Sequence, residues 1–464
     1  MRLEWLLVLA FLSACSPSAR PCGPSTCSGC CDATGACRQS GSASACGVGG
    51  VLCQQCGATA SCVTGICTSF GAGGGANAAG GNAAGGNAAG GNVAGGNVAV
   101  SDSGLVDAGV RDAGTGRDGG CTLSFGPPQS LSGGGVFLAT GDYDHDGRPD
   151  LAWTNPTNNE VGVSLNSAAG LRPPVRTQFP LNSWPAALAS ADVDLDGFDD
   201  LVVGAFFANQ LVFMRNDQQG RFTRTTAYQV ANVWMVNAAP LDTVLGSDFV
   251  VANELLEVLV LRNSGGALAL PNPWTTDAGL PVRGSCVGDL RNAGVNDIVA
   301  LAGLGPGAVT VLRNDGNARF SVVDQLTTIS RPLSCTVGDL NRDGRADLVV
   351  TTIDATVELF RQTASGRFQP AGSLPGLKSE GPVAFADLDL DGISEVVIPS
   401  SFSDGGLYLM RSSADGGLVG PTLLTLTQGG AFAVLSLDVD GDGLDDLVLS
   451  SGSGQLFVMP NSCH

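Results

Sequence analysis

Charge is scarce in this 464-residue chain, and positive charge most of all. Charged residues make up only 14%, with 23 Lys and Arg against 43 Asp and Glu, for a net charge of −20. A large helical protein would carry more Glu, Lys and Arg, so a helical body is excluded. A deficit of basic residues argues against nucleic acid and anionic membrane surfaces as direct partners. Histidine is almost absent: His145 and His464 are the only two. No nucleophile–base pairing suggests itself, and the reading is of a protein that is not an enzyme. Beyond the first residues, no stretch is long and apolar enough to cross a bilayer.

Glycine is abundant instead, with 67 residues. Many short strands joined by Gly/Asp turns fit this composition.

Residues 1–14 read as a processing segment. Arg2 supplies the positive end and Leu6 to Leu12 a short apolar core. Leu12-Ser13-Ala14-Cys15 follows, and it resembles the lipobox of bacterial lipoproteins. That resemblance implies cleavage before Cys15 and a diacylglycerol on its sulfur. With Ser16 rather than Asp next, it also implies the outer membrane or cell surface. The membrane would then be met through the Cys15 lipid only. An ordinary signal peptide that contains a Cys is the alternative.

The chain has 15 Cys. With Cys15 set aside for lipid, ten lie between Cys22 and Cys67, and four remain as Cys121, Cys286, Cys335 and Cys463. Both groups are even, as disulfide pairing requires in an oxidising compartment. Residues 15–70 hold too few apolar residues for a core, so disulfides would have to hold that unit. A zinc site is the competing reading of its Cys-x2-Cys spacings. The unit resembles Cys-rich segments behind lipoboxes in myxobacteria-like proteins. Residues 71–120, with Asn77, Asn82, Asn87, Asn92 and Asn97 every five residues, read as a disordered linker spanning about 40 Å.

Residues 121–464 repeat one phrase. It reads Asp142-x-Asp144-x-Asp146-Gly147-x-x-Asp150, then Asp192-x-Asp194-x-Asp196-Gly197-x-x-Asp200. It returns as Asp339-x-Asn341-x-Asp343-Gly344-x-x-Asp347 and as Asp387-x-Asp389-x-Asp391-Gly392-x-x-Glu395. The last full copy is Asp438-x-Asp440-x-Asp442-Gly443-x-x-Asp446. A degraded copy runs from Asp289 to Asp297, with Arg291 and Ala293 where acids belong. The copies start 48 to 51 residues apart, except for one gap of 97, from Asp192 to Asp289. The doubled gap marks a seventh unit whose motif is lost near Asp242.

Each unit carries four strand-like runs. In the second these are 186–191, 201–206, 210–215 and 221–228, rich in Val, Leu and Phe. Seven units of four short strands predict an all-β, seven-bladed β-propeller. The last unit stops after a third strand at 455–459. Thr122-Leu-Ser-Phe125 resembles the fourth-strand phrases at Phe222 and Phe368, so the N-terminal strand is expected to complete the last blade. Cys121 and Cys463 flank that closure and are expected to pair. Cys286 and Cys335 would sit on neighbouring inner strands within pairing reach.

The acid phrase, the Leu-Val-Val strand after it and the later Gly-x-Phe resemble the FG-GAP/VCBS repeat family, which includes integrin α-subunit propellers. The resemblance implies calcium binding and, often, adhesion or ligand binding.

The chemistry agrees. Calcium takes six to eight hard oxygens in flexible geometry. Acids at positions 1, 3 and 5 converge when the loop turns at the Gly of position 6, position 7 offers a carbonyl, and position 9 a further carboxylate. Position 12 is Trp153 or Val203 rather than Glu, so these are not EF-hands. The five intact loops hold 19 acids, which repel unless neutralised. Five calcium ions would offset half the net charge.

The expected role is a monomeric surface binding or adhesion module for a protein or polysaccharide. An envelope scaffold without a soluble ligand is the alternative, and a polysaccharide hydrolase or lyase a more distant one. Trp153, Trp184, Trp234 and Trp274 are candidates for a ligand surface, with blade core as their ordinary use.

Overall fold

The computed structural model describes residues 121–464, apart from short loop segments, and a few brief strands before them. The chain divides into two compact units, 1–88 and 89–464. In the first, Cys30–Cys31 pairs with Cys37–Arg38 and Ala60–Val63 with Ile66–Ser69. Cys15, the leader and most of the expected linker lie outside the described residues.

The second unit is a seven-bladed β-propeller, and all its described regular structure is strand. Blade 2 shows the plan. Its strands are Pro185–Ala191, Asp200–Ala205, Gln210–Asn216 and Phe222–Gln229, antiparallel and in chain order from the axis outward. The inner strands of the other blades are Phe137–Gly141, Met235–Ala239, Val282–Gly288, Pro332–Gly338, Ala384–Ala386 and Ala431–Leu437. The strand Ala94–Gly95 adds to the sheet of blade 5, against Thr336 and Val337.

The first three strands are buried on both faces because each blade is stacked between two others. The core is accordingly divided into seven apolar clusters, one at each blade interface. Ala139, Ala152 and Val161 of blade 1 pack on Leu188, Val203 and Val212 of blade 2. At the closing interface Leu138, Leu151 and Trp153 pack on Leu435, Val448 and Val458 of blade 7. Trp153 is fully buried, and a Cβ on Gly135 or Gly162 would overlap its ring. Those two positions are glycine because the indole fills the space. Fourth strands have one face in solvent, and Phe222–Gln229 is mostly exposed.

Closure follows the expected plan. Phe125 bridges Asn461, and Gln129–Ser130 then pairs with Val458 and Phe457 as the fourth strand of blade 7. Cys121 and Cys463 are disulfide-bonded across this junction, with Cα atoms 5.4 Å apart. Cys286 and Cys335 are bonded between the inner strands of blades 4 and 5, with Cα atoms 5.8 Å apart.

Candidate metal centres and the cations that replace them

The seven loops that join an inner strand to the second strand of its blade, five of them with the full acidic motif, all lie on one face. The local fold is dictated by two left-handed positions. The Gly at position 6 has φ of 81° at Gly147 and 91° at Gly197, with open space where a Cβ would stand. Its requirement is therefore conformational and not steric crowding. Position 4 is also left-handed, at His145, Leu195, Asn292, Leu390 and Gly441.

The position-1 carboxylate organises the turn. Asp142 accepts the backbone N–H of Asp146 at 3.0 Å and of Gly147 at 2.9 Å. Asp192 does the same for Asp196 and Gly197, and Asp339 for Asp343 and Gly344. Position 5 then accepts from position 7, as Asp146 does from Arg148 at 3.0 Å.

Four loops gather three acids with one oxygen of each within 4.8 Å of the others. These are Asp142, Asp144 and Asp146; Asp192, Asp194 and Asp200; Asp387, Asp389 and Glu395; and Asp438, Asp440 and Asp446. Asp150, Asp196, Asp391 and Asp442 belong to the same loops but lie outside the tight groups. The loop of Asp339, Asn341, Asp343 and Asp347 forms no such group among the described residues. There the Asp343 carboxylate is held by the Arg345 guanidinium and accepts from Asn341 Nδ2 at 3.1 Å.

The donor set fits a hard cation. Asp144 Oδ1, Asp194 Oδ1 and Asp387 Oδ1 are buried and have no hydrogen-bond partner among the described residues. Burial, with neighbouring carboxylates adding to it, pushes Asp144 and Asp194 above the usual carboxylate range. A divalent cation supplies the charge that would reverse this.

Position 9 does something that spacing alone does not reveal. In blade 2, Asp200 Oδ2 accepts the N–H of Val193 at 3.2 Å and Oδ1 that of Asn216 at 2.8 Å. This clamps the loop to the third strand. The same double acceptance occurs at Asp150 and Asp446, and also at Asp248 in blade 3, where the motif is lost. The ninth acid is thus a framework residue with or without a metal loop. Burial raises Asp150 and Asp200 to about 7, Glu395 to about 8, and Asp248, Asp347 and Asp446 to about 6.

The residue receiving that clamp also ties neighbouring blades together. Asn216 Nδ2 donates to Tyr143 O of the preceding blade at 2.9 Å. Asn263, Asn314, Gln362 and Asn461 reach Val193, Leu241, Leu290 and Leu388 at 2.7–2.8 Å. Asn166 closes the circle onto Asp438 O at 3.2 Å.

The two loops without the full motif carry their own cations. Arg291, at position 3 of the degraded loop, sets Nε 3.0 Å from Asp297 Oδ2 and Nη2 3.0 Å from Oδ1. Nη2 also donates to Asn314 O at 2.8 Å. In blade 3, Arg262 Nε donates to Asp242 at 2.8 Å. Arg215, at the equivalent place in blade 2, bridges Asp194 at 2.7 Å and Asp196 at 3.1 Å. Arg215 and Arg262 directly precede the Asn of the latch, as Arg313 and Arg361 precede Asn314 and Gln362 in blades 4 and 5. The recurring Arg-Asn/Gln pair is the signal in the sequence that could have found them.

The opposite face is aromatic. Ring contacts run from Phe432 to Phe137, to Trp234, to Phe206 and on to Phe207 and Trp184, with centroids 5.2–6.5 Å apart. These residues come from blades 7, 1, 2 and 3, all at the strand ends away from the acidic loops. Phe207 is 59% and Trp184 38% exposed, and the Arg283 guanidinium lies 5.8 Å from the Trp234 ring centre. Trp153 is core instead, and the side chain of Trp274 lies outside the described residues.

Comparison with known proteins agrees with this architecture. The model of the FG-GAP-like repeat matches residues 142–203, 289–350, 340–398 and 387–449. Cartilage acidic protein 1 of Xenopus tropicalis is 26% identical over 337 residues, covering 69% of this chain and 48% of that protein. The chain thus spans about half the length of this curated relative. The crystal structure of BBS1N in complex with ARL6DN shares the fold at 13% identity, with a TM-score of 0.51 over 74% of this chain and 97% of that one. With the repeat matched in four places inside a ring of seven such units, the chain is an FG-GAP-repeat β-propeller.

Proposed function

We propose that the protein is a calcium-binding, lipid-anchored cell-envelope module that binds a protein or polysaccharide through the face opposite its acidic loops. The observation that carries this reading is the aromatic run from Phe432 to Trp184. At its end Phe207 and Trp184 stand exposed side by side, and contiguous exposed apolar side chains mark interaction surfaces. Trp and Phe faces stack on sugar rings and fill protein interfaces alike. BBS1N, a propeller of the same fold, is crystallised in complex with ARL6DN, which favours a protein partner.

The acidic loops have a different task in this scheme. Asp142, Asp144 and Asp146, and their counterparts in the other loops, would hold calcium, with Asp150, Asp200, Asp347, Glu395 and Asp446 completing the shell. Calcium would neutralise the acids and fix the turns while the other face meets the ligand. The Cys15 lipid and the segment 71–120 would tether the propeller and hold it off the membrane.

Protein and glycan arrays at millimolar calcium test this reading. The parent protein is expected to retain a ligand that a Trp184→Ala/Phe207→Ala double variant loses at unchanged melting temperature. Blank arrays with folded, calcium-loaded protein would count against the binding role.

A further inference from the structure

Blades 4 and 5 enclose a cleft of about 360 Å³ beside the degraded loop. Arg291, Arg313 and Arg367 line it, and Val311, Val322 and Phe368 form apolar wall between them. The volume is that of a small-ligand site.

The charge of this cleft is opposite to that of the chain. The Arg291 guanidinium is anchored in plane by Asp297, its Nε and one Nη nitrogen directed at the carboxylate. Arg367 Nη1 stands 3.4 Å from Asp324 Oδ1, and the other Asp324 oxygen accepts the N–H of Phe368 at 2.8 Å. The Arg313 side chain is exposed and makes no ion pair or hydrogen bond among the described residues. Three guanidinium groups thus face two carboxylates, leaving an excess of positive charge in a protein of net charge −20. Arg291, one of the changes that spoil the acidic loop, is also one of the three arginines that make this cleft basic.

We propose that the cleft between blades 4 and 5 binds a ligand bearing a carboxylate or sulfate next to an apolar ring or chain. Arg313 and Arg367 contact the oxyanion, and Arg291, already tied to Asp297, fixes the wall behind it. Guanidinium forks suit planar oxyanions, and the apolar wall accepts the ring that carries the anion. The proposal is independent of the aromatic face, which lies on the other side of the ring.

The experiment is calorimetric titration of the full, calcium-loaded protein at constant ionic strength. The probes are benzoate, phenyl sulfate and neutral benzyl alcohol. One saturable site for benzoate or phenyl sulfate is expected, with none for benzyl alcohol, and the stronger of the two anions identifies the group recognised. Arg313→Gln and Arg367→Gln should each weaken it at least fivefold without changing the melting temperature. Arg176→Gln, on the exposed outer strand of blade 1, should leave it intact. Absence of saturable binding by either anion, or binding equal in the Arg313 and Arg367 variants and the parent, would overturn the proposal.

Discussion

Replacing Arg291 with Ala probes the idea that the degraded loop carries its own cation. Asp297 is 2% exposed, and its carboxylate takes three contacts: two from the guanidinium and one from the Asn314 N–H. Arg291→Ala removes the first two and also leaves Asn314 O without its 2.8 Å donor. Breaking a buried ion pair by removing one partner costs about 3–5 kcal/mol. The Arg291 side chain is one-third exposed, so water reaches the site and about 2–3 kcal/mol is the better expectation. At roughly 2.1 cal/mol/K per residue, the propeller unfolds with an entropy near 0.7 kcal/mol/K, so the melting temperature should fall by about 3–4 °C. Scanning calorimetry at saturating calcium reads this shift. The double variant Arg291→Ala/Asp297→Asn removes the stranded charge and should recover about half of the loss. A single variant melting with the parent, or a double variant no better than the single, would refute the argument.

Two further predictions concern the framework. Asn216→Ala removes donors from two buried carbonyls, Tyr143 O and Asp199 O, and should cost about 2–4 kcal/mol in urea denaturation with an unchanged m-value. With calcium chelated, stability should fall as pH rises from 5 to 8. Burial raises Asp150 and Asp200 to about 7 and Glu395 to about 8, so the folded chain holds protons that the unfolded chain has released. Calcium should flatten this slope, leaving a residue near pH 6 from Asp248 in the blade that lacks the motif. A chelated urea midpoint that rises with pH would contradict this account.

The blade count, the strand order and the position of every acidic loop were legible in the residues. Each depends on local rules: a turn needs glycine at position 6, and the acid phrase returns with a steady period. Even the lost unit near Asp242 was readable, because a doubled gap preserves the register. Closure at Phe125 was visible for the same reason, since a fourth-strand phrase stood at the wrong end of the chain.

Other features were decided only when the blades met. The ninth acid reads as one more ligand in the sequence, and Asp248 shows that it also clamps loop to strand whether or not the loop can hold metal. Arg291 looked like a missing acid and proved to be a substitute cation. The Asn216 latch reaches a carbonyl 73 residues away, and the Phe432–Phe137 contact joins blade 7 to blade 1. Period and turn chemistry act within about fifty residues, so the chain alone determined seven units and their acidic turns. Which side chains face one another across an interface depends on how the twisted blades stack, and only the closed ring settles that.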